Sequence, residues 1–122
     1  MNLTILDGEF SVCKLYDLSQ IDYNDPYLFI SKTEEELSLV CLSGSVPDNA
    51  AVCEPGWRAF RVEGELDFSL IGILSRLTGI LAEHKISVFA ISTYNTDYIL
   101  VKKEQFREAK RALTDAGYTF DH

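Results

Sequence analysis

The sequence predicts an α+β protein whose second half folds as an antiparallel sheet with two helices on one face. Apolar and polar residues alternate over 57–62 and 86–92, and a nearly continuous apolar run covers 97–101, which indicates strands. Two amphipathic helical patterns separate these strands, and a short run at 118–120 indicates an edge strand. The resulting order, β-α-β-β-α-β, is the ferredoxin-like split β-α-β pattern.

The first helix is predicted by apolar residues at 3.6-residue spacing. Asp67 or Ser69 is the expected N-cap. His84 and Lys85 fall at the C-terminal end, where the helix dipole favours cations. Gly72 and Gly79 are expected inside the helix, where each costs about 1 kcal/mol relative to alanine, which close packing on a neighbour would offset. The apolar face comprises Leu70, Ile73, Leu74, Leu77, Ile80 and Leu81.

The second helix carries its apolar residues on one face and is expected to stop at Gly117. That face comprises Phe106, Ala109, Ala112, Leu113 and Ala116. Upstream of this helix, the polar turn 93–96 joins two strands and has hairpin chemistry. Hydroxyls and the Asp97 carboxylate therefore cluster where two core strands meet. Such a cluster can hold a small polar ligand, and it can equally be a well-capped hairpin.

The first half has a similar number of strands but weaker helices. Asp7-Gly8-Glu9 is a hairpin signal between its first two strands, and Thr33 with Glu36 has the capping-box spacing that predicts one helical turn. The loop-like segment 43–56 is the expected linker. We predict two side-by-side units with antiparallel sheets, residues 1–55 and 56–122, related by an imperfect duplication. Strands of the first half are expected at 3–6, 10–15, 27–31 and 37–42.

Charge and composition exclude several classes of partner. The net charge of −8 argues against nucleic acid and against an anionic membrane surface. No apolar run approaches the ~20 residues that span a bilayer, and no basic region of a secretory signal is visible. Cys13, Cys41 and Cys53 form no paired motif, so we expect reduced, partly buried thiols in a cytoplasmic protein, with a disulfide or a metal role as the alternative.

Motifs for catalysis and metal binding are missing from the sequence. The two histidines, His84 and His122, fall at a predicted helix end and at residue 122, so they support no Ser-His-Asp or Cys-His arrangement. The sequence has no H-x-x-x-H spacing, no CxxC pair and no glycine-rich phosphate loop. We therefore expect no enzyme, no metal site and no cofactor.

One binding site can be argued from the residues. The segment 63–69 leads from a strand into a helix N-terminus, where free backbone N–H groups and the helix dipole suit a carboxylate. The split β-α-β pattern places the first and third strands side by side, which brings Asp97 near this segment. One loop would hold an α-carboxylate while Asp97 or Asp67 holds a cation. That combination describes an amino-acid site.

Residues 57–118 also resemble the ACT domains of the CASTOR-type arginine sensors and the regulatory ACT domains of aspartate kinases. The resemblance is carried by Gly-Trp-Arg at 56–58, by Val-Glu-Gly-Glu-Leu-Asp-Phe-Ser-Leu-Ile-Gly-Ile-Leu at 62–74 and by the run at 81–101 that contains Ile-Ser-Thr-Tyr-Asn-Thr-Asp-Tyr. The segment Glu-Leu-Ser-Leu-Val-Cys at 36–41 is similar to the first ACT domain of these proteins. The resemblance covers the second half of the chain well and the first half only over this short segment.

The resemblance implies a regulatory, ferredoxin-like ACT fold that binds an amino acid at an interface between ACT units. It implies a homodimer, because this chain has room for two of the four units of the arginine sensors. Arginine or lysine is expected to be favoured, with Asp97 facing the cationic end. The alternative is an ACT-like interaction module without a ligand. The ligand-binding residues implied are Gly64, Leu66, Asp67, Phe68, Ser69, Ser92, Thr93, Thr96 and Asp97.

Overall fold

The computed structural model describes residues 1–63 and 71–121, and within them the chain forms two compact units. The helical unit combines residues 1–7 with the chain from Arg58 onward, and the strand unit is Gly8–Trp57. In chain order the elements are β1 (Asn2–Ile5), β2 (Phe10–Leu15), β3 (Leu28–Lys32), β4 (Leu37–Leu42), β5 (Ala50–Val62), α1 (Ile73–Glu83), β6 (Val88–Ser92), β7 (Asp97–Lys102), α2 (Phe106–Asp115) and β8 (Thr119–Asp121).

The sheet of the helical unit confirms the predicted ferredoxin-like α+β fold. β7 pairs with both β5 and β6, so the first and third strands of the β-α-β-β-α-β sequence are adjacent. β1 pairs antiparallel with β5 and parallel with β8, which gives the order β8-β1-β5-β7-β6. The predicted hairpin between residues 3–6 and 10–15 is wrong, because β1 instead fills the position between the first and fourth strands of the pattern.

Helix faces and strands together enclose the core of the helical unit. The predicted apolar faces are confirmed at Leu77 and Leu81 of α1 and at Ala109, Ala112 and Leu113 of α2, all of which are buried. Leu70 lies outside the described residues. Phe60 of β5 has no exposed surface and meets Phe120 of β8 edge to face, with ring centroids 5.6 Å apart. The same buried cluster also contains Leu3, Val62, Ile86, Ile99, Val101 and Tyr118.

The start of α1 differs from the prediction, whereas the end of α2 agrees with it. α1 begins at Ile73 with Gly72 as its N-cap, so the prediction that Gly72 lies inside the helix is wrong. The expected caps, Asp67 and Ser69, lie outside the described residues. α2 stops as predicted at Gly117, whose φ of 104° lies in the left-handed region. There the N–H of Gly117 donates to Thr114 O at 3.0 Å and that of Tyr118 to Leu113 O at 3.0 Å. This is the Schellman arrangement that closes a helix.

Two glycines of this unit give opposite predictions for the same substitution. A Cβ at Gly79 or at Gly117 meets no described atom within 4 Å, so the close packing expected at Gly79 is wrong. We expect Gly79→Ala to raise the free energy of unfolding by about 0.5–1 kcal/mol, because alanine restricts the unfolded chain and suits a helix. Gly117→Ala should lower it by about 1–2 kcal/mol, because the left-handed conformation strains alanine. Urea denaturation followed by circular dichroism measures the free energy of unfolding of both variants. Changes of the same sign in the two variants would contradict these predictions.

The strand unit is a four-stranded antiparallel arrangement in the order β3-β4-β2-β5. One buried cluster in this unit comprises Cys13, Leu15, Ile21, Leu39 and Cys41. The predicted helical turn at Thr33 is wrong, because residues 33–36 form the turn between β3 and β4. The Thr33 N–H donates to Glu36 O at 2.9 Å, and Thr33 Oγ1 accepts from the N–H groups of Glu35 and Glu36. The hydroxyl thus serves a hairpin instead of a helix.

The predicted linker 43–56 is partly strand, since β5 begins at Ala50. Pairing with β2 shifts between Val12↔Glu54 and Phe10↔Trp57, so Pro55 and Gly56 together oppose Ser11. Two residues facing one form a β-bulge, the place where a strand tolerates proline and glycine. The Pro-Gly pair therefore interrupts the strand's pairing and does not end it. Within residues 1–63 and 71–121, no helix has the length and apolar character needed to cross a membrane.

Candidate functional site

A cleft of about 590 Å³ lies in the helical unit beside the first turns of α1. Its volume is within the range of small-molecule sites. The last residue of β6 and the first residue of β7 form the opposite wall. The lining residues are Gly72, Ile73, Leu74, Ser75, Thr78, Ser92 and Asp97.

The strand side of the cleft presents a partly buried carboxylate. Ser92 and Asp97 are directly opposite each other in the β6–β7 ladder, and Ser92 Oγ donates to Asp97 Oδ1 at 2.6 Å. Among the described residues, Asp97 Oδ2 accepts no hydrogen bond from a neighbour. The carboxylate is therefore oriented by the serine and retains capacity to accept hydrogen bonds from a cation.

The helix side of the cleft carries the opposite polarity. Arg76 makes the first backbone hydrogen bond of α1, to Gly72 O at 2.9 Å, so the N–H groups of residues 73–75 have no acceptor within the helix. The first turn contains no acidic residue to balance the dipole. The cleft therefore has a positive helix end on one wall and the Asp97 carboxylate on the other.

Thr93 and Thr96, two predicted site residues, hold the hairpin in place. Thr93 Oγ1 donates to Thr96 O at 2.9 Å and accepts the Thr96 N–H at 3.3 Å. Thr96 is buried, and its hydroxyl donates to Val62 O at 2.8 Å, which ties the start of β7 to the end of β5. Thr93 thus caps the turn, as in the well-capped hairpin that was the alternative to a ligand site.

The other predicted residues, Gly64, Leu66, Asp67, Phe68 and Ser69, lie outside the described residues, and their ligand role stays a prediction. The structure adds Gly72, Ser75 and Thr78, which the sequence argument missed. Thr78 Oγ1 donates to Leu74 O at 2.9 Å, whereas Ser75 is exposed. Gly72 lies between Leu70 and Ile73 of the predicted apolar face, and no spacing in the sequence marks it as the N-cap.

A second cleft, of about 360 Å³, lies between the end of α1 and the exposed side of α2. It is lined by charges of both signs on the surface, without a convergent set. Its lining residues are His84, Glu104, Arg107, Glu108, Arg111, Ala112 and Asp115. Within residues 1–63 and 71–121, no three histidine, cysteine or acidic side chains are grouped so as to hold a metal ion.

Comparison with protein-family models identifies the family of this chain. The family model for the ACT domain matches residues 52–115, more than half of the chain. The chain therefore belongs to the ACT-domain family. ACT domains are regulatory domains that generally bind amino acids. Among curated proteins, none matches the chain.

Solved structures support the same fold over the whole chain. A protein of Agrobacterium tumefaciens is 28% identical, with a TM-score of 0.86 over 99% of this chain and 93% of that one. Aspartokinase α and β subunits are 13% identical, with a TM-score of 0.65 over 95% and 97%. The regulatory subunit of aspartate kinase from Thermus thermophilus is 8% identical, with a TM-score of 0.58 over 89% and 91%.

Proposed function

We propose that this chain is a regulatory protein that senses an amino acid at an interface between ACT units. The observation that carries the proposal is the cleft with a helix N-terminus on one wall and Asp97 on the other. An amino acid has a carboxylate for the first wall and an ammonium or side-chain cation for the second. Membership of a regulatory, amino-acid-binding family supports the same function.

In the proposed complex, the N–H groups of the first turn of α1 hold the α-carboxylate. Asp97, oriented by Ser92, accepts hydrogen bonds from the cationic end, which favours arginine or lysine over neutral amino acids. The predicted segment from Gly64 to Ser69 adds backbone donors, and Thr93 and Thr96 keep the hairpin in position. The function is then ligand-dependent regulation and not catalysis.

We further propose a tandem ACT arrangement of the arginine-sensor type, with the first half as a degenerate ACT unit. Supporting it, β4 and β7 share one burial pattern, in which the third to fifth residues are buried. Each follows a hairpin turn capped by a threonine, Thr33 or Thr93, and each leads directly into a 3₁₀ turn, Ser43–Ser45 or Lys103–Gln105. A homodimer would then supply four ACT units. Sedimentation at micromolar protein concentration tests whether the chain forms that dimer.

The second candidate function is an ACT-like interaction module that pairs with itself or with an enzyme and binds no ligand. It is favoured by the exposed edge that β6 offers, since β6 pairs with β7 alone among the described strands. The two functions differ in one respect: only the sensor is stabilised by an amino acid.

Thermal unfolding with each of the twenty standard amino acids tests the sensor function. Binding to the native state alone raises stability by about 2.7 kcal/mol at a ligand concentration of 100 Kd. For a chain of this length that is a rise in Tm of about 10 °C. We expect the largest rise with arginine or lysine. Uniformly unchanged Tm at millimolar concentrations would instead favour the interaction module.

A further inference from the structure

Two cysteines of the strand unit lie face to face. Cys13 of β2 and Cys53 of β5 are direct partners in the antiparallel ladder, and their Sγ atoms are 3.1 Å apart. Both are free thiols. A disulfide has an S–S length of about 2.05 Å, so an approach of about 1 Å would join them.

The two sulfurs differ in their access to solvent. Cys13 is buried and donates its S–H to Cys53 Sγ, whereas Cys53 is exposed. Burial, followed by the hydrogen bond with Cys53, raises the pKa of the Cys13 thiol to about 12. Cys13 therefore keeps its proton at neutral pH, and Cys53 is the sulfur that a soluble oxidant reaches first.

We propose that Cys13 and Cys53 are a modification site that a peroxide converts into a reversible intramolecular disulfide. The Cys53 sulfur attacks one peroxide oxygen, the O–O bond breaks, and Cys53 sulfenic acid forms with release of one water. The Cys13 sulfur then attacks the Cys53 sulfur, the S–O bond breaks, and the departing hydroxide takes the Cys13 proton as a second water. Two thiols lose two electrons, and hydrogen peroxide gains them.

The pairing of β2 with β5 around Cys13 and Cys53 permits the small movement that disulfide formation requires. Pairing between β2 and β5 shifts between Phe10 and Val12 and again between Lys14 and Leu15, so the Cys13 pair lies in a regular stretch of three residue pairs bounded by two irregularities. Irregular pairing lets strands adjust locally. The bond would fasten β2 to β5 at this stretch and close a loop that contains β3 and β4.

The third cysteine provides a built-in control. Cys41 is buried in β4, where its ladder partners are Ser11 and Leu28, neither of which is a cysteine. Burial is the main reason that the pKa of the Cys41 thiol is raised to about 11, with Asp25 contributing. Cys41 is expected to remain a thiol while the other two react.

The experiment treats the reduced full-length chain with hydrogen peroxide and follows thiol content, intact mass and Tm. We expect loss of two of the three thiols, a mass lower by two hydrogen atoms, and a Tm higher by about 10 °C. Dithiothreitol should reverse all three changes. Cys41→Ala should still form the bond, and Cys53→Ser, altered at an exposed position, should not.

Three outcomes would overturn the proposal. The first is a Cys53→Ser chain that still loses two thiols, since that assigns the bond to Cys13 and Cys41. The second is a covalent dimer through exposed Cys53. The third is a gain of oxygen mass without loss of two thiols, which would show that Cys53 is oxidised alone.

Discussion

Asp97→Asn is expected to weaken amino-acid binding by about ten- to a hundredfold while leaving the fold intact. Asparagine keeps the size of the side chain but loses the charge, and a hydrogen bond to a charged group contributes about 1.5–3 kcal/mol. Ser92 Oγ can still donate to the amide oxygen, so the hairpin should keep its geometry. Calorimetric titration of arginine and lysine into both proteins measures the change.

Asp121→Asn is the matched control. Asp121 is also a strand carboxylate that accepts a side-chain hydrogen bond, from Asn2 Nδ2 at 2.6 Å, and it does not line the cleft. We expect unchanged affinity for arginine in this variant. An equal loss in both variants would mean that net charge, and not contact with Asp97, controls binding. A fall in Tm for Asp97→Asn, with no binding by the wild type, would leave Asp97 a structural role alone.

The largest expected loss of stability comes from Phe60→Ala, which should lower the free energy of unfolding by about 3–5 kcal/mol. Phe60 is completely buried in β5 and packs against Phe120, so the substitution leaves a cavity that the neighbouring strands fill only in part. Tyr16→Ala is the aromatic control, because Tyr16 is 78% exposed, and its change should stay within about 0.5 kcal/mol. Urea denaturation monitored by circular dichroism compares them; similar losses would contradict the assigned core.

The second half of the fold could be predicted because its patterns are strong and local. Apolar spacing located the buried faces of both helices, and Gly117 marked the end of α2. The start of α1 could not be predicted, since Asp67 and Ser69 are better N-cap residues by composition than Gly72. A glycine becomes the cap when the chain enters the helix through a left-handed conformation, which spacing does not reveal.

The first half was harder because its elements depend on long-range pairing. Asp7-Gly8-Glu9 has hairpin chemistry, yet β1 pairs with β5 and β8, some 55 or more residues away in sequence. Likewise, Pro55 and Gly56 suggest a linker, whereas the structure uses them as a bulge within β5. Turn chemistry predicts where a chain bends and does not specify which strands then meet.

The candidate site was predicted in part for the same reasons. Ser92 and Asp97 lie opposite each other on one wall of the cleft, because a hairpin register follows from its turn, and their ligand role stays a prediction. Thr93 and Thr96 have polar side chains in the right segment, but their hydroxyls serve the turn and the β5 carbonyl of Val62. Composition alone cannot separate a hydroxyl that binds a ligand from one that satisfies the backbone.

The central claim is that an amino acid binds between the N-terminus of α1 and Asp97. The most direct test is an NMR titration of the ¹⁵N-labelled chain, first with L-arginine and then with L-lysine. We predict saturable shifts of the backbone amides of Ile73, Leu74, Ser75 and Asp97, with little change at Arg107 and Arg111 of the second cleft. Amide shifts that are confined to the second cleft, or none at millimolar concentrations of either amino acid, would contradict the claim.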